Sequence, residues 1–129
     1  MFDFANSHGV PVLELEQVPE CMAPGVPYLG ISCRFNKILR QSLIDCFERG
    51  IINFHGGELP RYRGVNVANH CILDGAERGG GTLHYIDAGI DTGDIIDREF
   101  FPIPADAIAY EVFLETQMAL MRLFERNID

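Results

Sequence analysis

Ile52-Asn53-Phe54-His55-Gly56-Gly57-Glu58-Leu59-Pro60-Arg61-Tyr62-Arg63-Gly64, followed downstream by Asp91-Thr92-Gly93, decides how this chain is read. Ile51 to Phe54 is a short apolar run between Gly50 and a Gly-Gly pair, which reads as a buried strand. Residues two apart on a strand point to the same face. Asn53 and His55, at the carboxyl end of that strand, therefore both project into the crevice where open α/β sheets bind ligands. An amide N–H beside an imidazole stabilises the charge that grows on a carbonyl oxygen under attack by an amine, and a carboxylate such as Asp91 orients the imidazole. Together the three side chains suit acyl transfer. Alone, Asn53 reads as a turn residue and His55 as a satisfied surface imidazole.

Working outward, strands and helices alternate, which makes the fold class α/β. Val10 to Leu15 and Tyr28 to Cys33 read as strands, being short apolar runs preceded by turn residues. Lys37 to Phe47 reads as a half-buried helix with Ile38, Leu39, Leu43, Cys46 and Phe47 on one face, stopped by Gly50. Asn66 to Leu73 reads as a helix capped by Asn66, with Gly75 beyond its end. Strands follow at Thr82 to Ile86 and Asp94 to Phe101. Asp106 caps a closing helix from about Ala107 to Asn127. His84, alternating along its strand, reads as a packed or exposed histidine, Glu58 as a solvated charge, and Arg63 as holding its loop against carboxylates of the fold.

The chain of 129 residues, 47% hydrophobic, supplies one modest core, so residues 1–129 are expected to form a single soluble, cytoplasmic domain. No apolar run approaches membrane-spanning length. Cys21, Cys33, Cys46 and Cys71 lie too far apart for a zinc cluster or a redox pair, and read as reduced, mostly buried thiols with no metal site. A net charge of −9 without a basic run argues against a nucleic-acid partner.

The runs INFHGGELPRYRG and GGTLHYIDAGIDTGDII, covering the Asn-x-His pair, the Leu-Pro-x-Tyr-Arg-Gly loop and the Asp-x-Gly turn in that order, resemble the catalytic domain of the folate-dependent formyltransferases. The resemblance spans roughly Ile31 to Pro104. It implies a Rossmann-like, mixed and mostly parallel sheet flanked by helices. It also implies 10-formyltetrahydrofolate as formyl donor, a small-molecule amine as acceptor, and catalytic roles for Asn53, His55 and Asp91. Phe35, Ile38 and Leu39 would sit beside the pteridine pocket, and Gly89, Ile90 and Asp91 would offer backbone groups to its edge. For Phe35, core packing is an equal alternative. The character of INFHGGELPRYRG leans toward the branch that formylates nucleotide-linked amino sugars, and the acidity leans away from the branch that formylates initiator tRNA. Relative to the family, the chain reads as truncated at its amino terminus. Two readings follow: a one-carbon transferase, or an inactive remnant that serves as a folate-binding or interaction module. The strand at Tyr28 to Cys33 would be left as an open edge, and a homodimer is expected, joined through the face or edge beside it or by exchange of the amino-terminal segment Met1 to Leu15 between chains.

Overall fold

Four strands pair into one sheet in the computed structural model, which describes residues 2–128. β1 (Gly30–Cys33) and β2 (Ile51–His55) run parallel, with Gly30 opposite Ile51 and Cys33 opposite Phe54. β3 (Arg78–Tyr85) is antiparallel to β2, and β4 (Ile95–Pro102) is antiparallel to β3, giving the order β1-β2-β3-β4. The α/β class, the mixed sheet and the flanking helices agree with the sequence. The parallel majority does not hold among the described strands, where one pair is parallel and two are antiparallel. Residues 86–94 alone link β3 to β4, and a parallel pairing needs a crossover of roughly a dozen residues or more.

The helices are α1 (Phe2–Ser7), α2 (Val18–Cys21), α3 (Gln41–Ile44), α4 (Val67–Leu73) and α5 (Ala109–Asn127), with a 3-10 turn at Leu15–Gln17. α5 turns Val112, Thr116, Ala119, Leu120 and Leu123 inward, the spacing of a helix buried along one stripe. Leu120 and Leu123 pack with Phe54, Leu83 and Ile52 from β2 and β3. A second cluster joins Tyr62, Cys71, Ala76, Phe101, Val112 and Ala119, fixing α4 against α5. Gly79, Gly80 and Gly81 lie inside β3, which begins earlier than the expected Thr82. A Cβ on Gly81 would stand 2.7 Å from Leu120 Cδ2, and one on Gly79 would stand 2.6 Å from the Phe101 ring. The bare backbone lets the helix and the neighbouring ring approach.

Three local expectations are corrected. Val10 to Leu15 forms no strand and makes no ladder pairing, and Val10, Val12 and Leu13 are exposed. A short apolar run reads alike whether or not a ladder partner exists. The helix expected at Lys37 to Phe47 contracts to the single turn α3, because Ile38 lies 80% exposed and turns to a cavity instead of the core. Of the cysteines only Cys71 is buried, while Cys21 and Cys33 are exposed. The caps also differ in detail. α5 begins after Ile108, whose N–H donates to the Glu111 carboxylate at 2.9 Å, and Asn66 precedes α4 with a left-handed backbone and no side-chain cap. Among the described residues β1 pairs with β2 on one side only, and Ile31 on it is half exposed. No helix among the described residues is long and apolar enough to cross a membrane.

Leu123, fully buried between β2, β3 and the rest of α5, tests this packing. Leu123→Ala is expected to lower unfolding free energy by about 2–5 kcal/mol, read from the urea midpoint at unchanged slope.

Candidate active site

Cross-strand register builds the site. Asn53 stands opposite His84 and His55 opposite Thr82, while Phe54 opposite Leu83 faces the α5 side. Residues directly opposite in an antiparallel pair share a face, so two polar pairs line one side of β2 and β3 while the apolar pair fills the core. Asn53 Nδ2 lies 3.1 Å from His84 Nε2, and His84 Nδ1 lies 2.7 Å from the Tyr85 carbonyl oxygen. His55 Nε2 is 2.6 Å from the Tyr62 carbonyl oxygen, and its Nδ1 is 3.4 Å from Asp91 Oδ2. Asp91 Oδ1 is 3.7 Å from His84 Nε2. The structure thus brings Asn53, His55 and Asp91 together, and adds His84, which the sequence had suggested only as a packed or exposed histidine. The alternation Thr82-Leu83-His84 carried the signal, since it puts His84 on the face opposite a core leucine.

Two loops hold these groups. In the first, Thr82 Oγ1 accepts the Leu59 N–H at 3.2 Å and donates to the Gly57 carbonyl at 2.6 Å, and Leu59 is buried. That anchors residues 56–64 over the sheet and presents the Tyr62 carbonyl to His55. In the second, the Asp87 carboxylate accepts both the Thr92 hydroxyl and the Gly89 N–H. The Thr92 hydrogen bond holds the Asp87 carboxyl below its ordinary range. Asp91 itself adopts φ 50, a left-handed backbone that aspartate tolerates better than most residues. The Gly64 N–H donates to Asp91 Oδ2 at 2.8 Å and so ties the two loops together. Glu58 is not a free charge, because it pairs with Arg78. Arg61 approaches Asp74 at 4.0 Å, whereas Arg63 is exposed.

These groups open onto a cavity of about 680 Å³. Phe35, Ile38, Leu39, Gly89 and Ile90 line it together with Asn53, His55, His84 and Asp91. Phe35, Ile38 and Ile90 are exposed there, so Phe35 is no core residue; it offers apolar surface to the cavity. Arg34 and Lys37 are the basic residues in the lining, and the Arg34 guanidinium sits 5.1 Å from the centre of the Phe113 ring. A concave, largely apolar space with a few converging polar groups is the form of a small-molecule site. Among the described residues no group of His, Cys, Asp and Glu is placed to hold a metal.

Gly57 is the tightest point of the first loop. A Cβ there would lie 2.7 Å from the Tyr62 carbonyl oxygen and 2.8 Å from His55 Nε2. Gly57→Ala is expected to cost about 1–3 kcal/mol of stability and to lengthen the His55–Tyr62 contact, measured by urea unfolding and by a crystal structure of the variant.

Residues 16–119 match the model of the formyl transferase family. Among curated relatives, the methionyl-tRNA formyltransferase of Geobacter metallireducens is 39% identical over 107 residues, covering 79% of this chain and 34% of that protein. That of Chlamydia caviae is 40% identical over 113 residues, covering 84% of this chain and 35% of that protein. The chain therefore spans about a third of the length of these relatives. Among solved structures, the N-formyltransferase from Helicobacter canadensis, in complex with folinic acid and dTDP-3-aminofucose, superposes with a TM-score of 0.83 at 31% identity. The match covers 99% of this chain and 45% of that one. A phosphoribosylglycinamide formyltransferase from Bacillus halodurans gives 0.82 at 23% identity, covering 95% of this chain and 69% of that one, and shares the fold. With its Asn53-x-His55 pair and Asp91 gathered at one cavity and most of its length matched, the chain belongs to the formyl transferase family.

Proposed function

We infer that the chain takes part in formyl transfer from 10-formyltetrahydrofolate to a small-molecule amine, with a nucleotide-linked amino sugar as the acceptor class. The observation that carries this is the meeting of Asn53, His55 and Asp91 at the polar end of a cavity whose remaining wall is apolar. A flat pteridine fits the chemistry of that wall: Phe35, Ile38, Leu39 and Ile90 offer apolar contact, and the loop at Gly89 to Asp91 offers backbone groups. When bound, the folate supplies the formyl group. The solved relative with folinic acid and dTDP-3-aminofucose supports both the donor and the acceptor class.

The residues divide the work by their geometry. One Asn53 Nδ2–H is directed to His84, which leaves the second for a carbonyl oxygen that gains negative charge. His55 meets an acceptor at each ring nitrogen, the Tyr62 carbonyl and Asp91, so the ring is held in place and suited to carry a proton beside that charge. Asp91 Oδ2 is occupied by Gly64 and His55, and Oδ1 remains to receive a proton from the amine, directly or through a water. Charge bears on the acceptor. A net charge of −9 weighs against a polyanion, while the curated relatives named for methionyl-tRNA keep that acceptor in the comparison.

Titration calorimetry with folinic acid is expected to show saturable one-to-one binding. In a transfer assay offered a dTDP-linked amino sugar, glycinamide ribonucleotide and methionyl-tRNA in parallel, the amino sugar is expected to be formylated, and His55→Ala to lower the rate by roughly 10²-fold. Absence of folinic acid binding overturns the reading; binding without turnover on any acceptor makes the chain a folate-binding module; turnover on methionyl-tRNA alone reverses the acceptor class. The open side of β1, with Ile31 half exposed, supports self-association along that edge. Light scattering at micromolar concentration is then expected to give twice 14.4 kDa, and 14.4 kDa at all concentrations refutes the pairing.

A further inference from the structure

We propose that His84 is a positioning residue that sets the Asn53 carboxamide for formyl transfer, by accepting one Asn53 Nδ2–H on its bare Nε2. The proposal rests on the reading of Asn53 as the donor to the developing oxyanion. Four observations place His84 in that role. It stands directly opposite Asn53 in the β2–β3 ladder, so the two side chains leave the sheet side by side. The β3–β4 register shifts between Leu83 and His84, an irregularity of the kind that re-aims a side chain next to a site. The side chain is 2% exposed, so its hydrogen bonds are not exchanged with bulk water. The fourth is chemical. Nδ1 lies 2.7 Å from the Tyr85 carbonyl oxygen, which only accepts, so Nδ1 carries the proton and Nε2 of the neutral ring is left with a lone pair. Asn53 Nδ2, at 3.1 Å, is the donor that meets it.

This chain of hydrogen bonds settles a choice that the amide alone leaves open. Carboxamide nitrogen and oxygen are nearly the same size, and only the partners decide which way the group faces. With Tyr85 fixing the His84 tautomer and His84 fixing the amide, the nitrogen of Asn53 points to His84 and keeps one N–H unspent. Protonating His84 breaks the arrangement, because two donors would then face each other and the amide would have to rotate, exchanging donor for acceptor. The groups that bear on His84 are the Asp91 carboxylate at 3.7 Å, the His55 ring at 6.1 Å between centroids, Asp87, and the Tyr85 carbonyl. Burial outweighs the stabilising carboxylates and carbonyl and pushes the His84 ring below its ordinary 6.5. The neutral form therefore persists into mildly acid solution. The sign for stability follows. An unfolded chain takes up the proton near 6.5 while the folded chain resists it, so the contribution of this site is complete above 6.5 and declines as pH falls toward the lowered native value.

Two measurements test the proposal, and one of them does not need turnover. In protein labelled with ¹⁵N in the histidine rings and asparagine amides, His84 is expected to show a protonated Nδ1 and a bare Nε2 at neutral pH. The Asn53 amide resonances are expected to move when His84 titrates. A His84 with its proton on Nε2, or Asn53 signals indifferent to that titration, overturns the proposal whether or not the chain is active. The second is kinetic. His84→Met keeps comparable bulk without a strong acceptor, and is expected to lower kcat for formyl transfer roughly 10-fold or more at little changed KM for the formyl donor, short of the ~10²–10³ for losing an oxyanion donor outright. His84→Gln, which returns an acceptor oxygen, is expected to restore most of the rate. Equal rates in wild type and a folded His84→Met variant refute the role. If the wild type neither binds folinic acid nor turns over, the proposed function fails and the resonance measurement still decides the link between His84 and Asn53.

Discussion

The antiparallel register of β2 with β3 is the constraint on which both the core and the site depend. Strand side chains alternate with a period of two, so a slip of one residue would send Phe54 and Leu83 to the polar side and Asn53 and His84 into the hydrophobic layer. Burial fixes the choice. Leu83 and Leu123 are almost wholly enclosed, and moving a leucine side chain from such a place into water costs roughly 1.5–3 kcal/mol. The same slip would also bury an amide and an imidazole without their partners, which adds a comparable penalty for each. The hydrophobic layer thus aligns the polar groups on the other face, and α5 both packs that layer and lines the cavity through Phe113, Thr116 and Gln117. The glycines of β3 belong to this argument, since side chains on Gly79 to Gly81 would hold α5 and β4 away from the strand that carries His84.

Once the strands are in register, buried polar groups have to be satisfied, and that requirement assembles the loops. Thr82, opposite His55, is fully buried, and its hydroxyl bridges the Leu59 N–H and the Gly57 carbonyl. The Tyr62 carbonyl turns to His55, and the Gly64 N–H turns to Asp91. No buried side-chain nitrogen or oxygen among the described residues lacks a partner. The loop from Gly56 to Gly64 is therefore held as one piece by groups inside the sheet, and Asp91 is held by that loop. At the far edge, Arg122 and Arg126 reach Glu99 and Asp97 and fasten α5 to β4, though exposed pairs of this kind contribute little each.

The site was more legible in the sequence than the scaffold around it, for a physical reason. Asn53, His55 and Asp91 stood out because they lie in runs that resemble the formyltransferase motif, a signal that does not depend on how the sheet pairs. β2 and α5 were legible as well, one from its bounded apolar run and the other from a helical stripe through Val112, Leu120 and Leu123. Val10 to Leu15 and Lys37 to Phe47 were misread because an apolar residue facing a cavity or an uncovered surface looks the same in sequence as one facing the core. Ile38 and Ile90, both largely exposed, belong to the cavity wall, so their hydrophobicity adds little to the folded core. His84 was missed because it meets Asn53 through a pairing between strands, 31 residues apart in sequence, and alternation along one strand gives the face but not the partner.

Charge supplies the last step toward an acceptor. Of ten basic residues, Arg61, Arg78, Arg122 and Arg126 are drawn to carboxylates of the fold. Arg34 and Lys37 stand in the cavity wall, within the same lining as Asn53 and Asp91. Tight binding to a nucleic-acid backbone typically rests on roughly six to ten phosphate contacts spread along a surface, and each must be met by a cation or an amide. Two cations beside the chemistry of an otherwise acidic chain match a different demand, that of a ligand whose negative charge is gathered in one or two phosphates. Small amines that carry one or two phosphates have that distribution, whether the amine sits on a sugar nucleotide or on a phosphorylated ribose. The charge pattern bears on how a ligand carries its phosphate, while the chemistry of Asn53, His55 and Asp91 suits any primary amine alike.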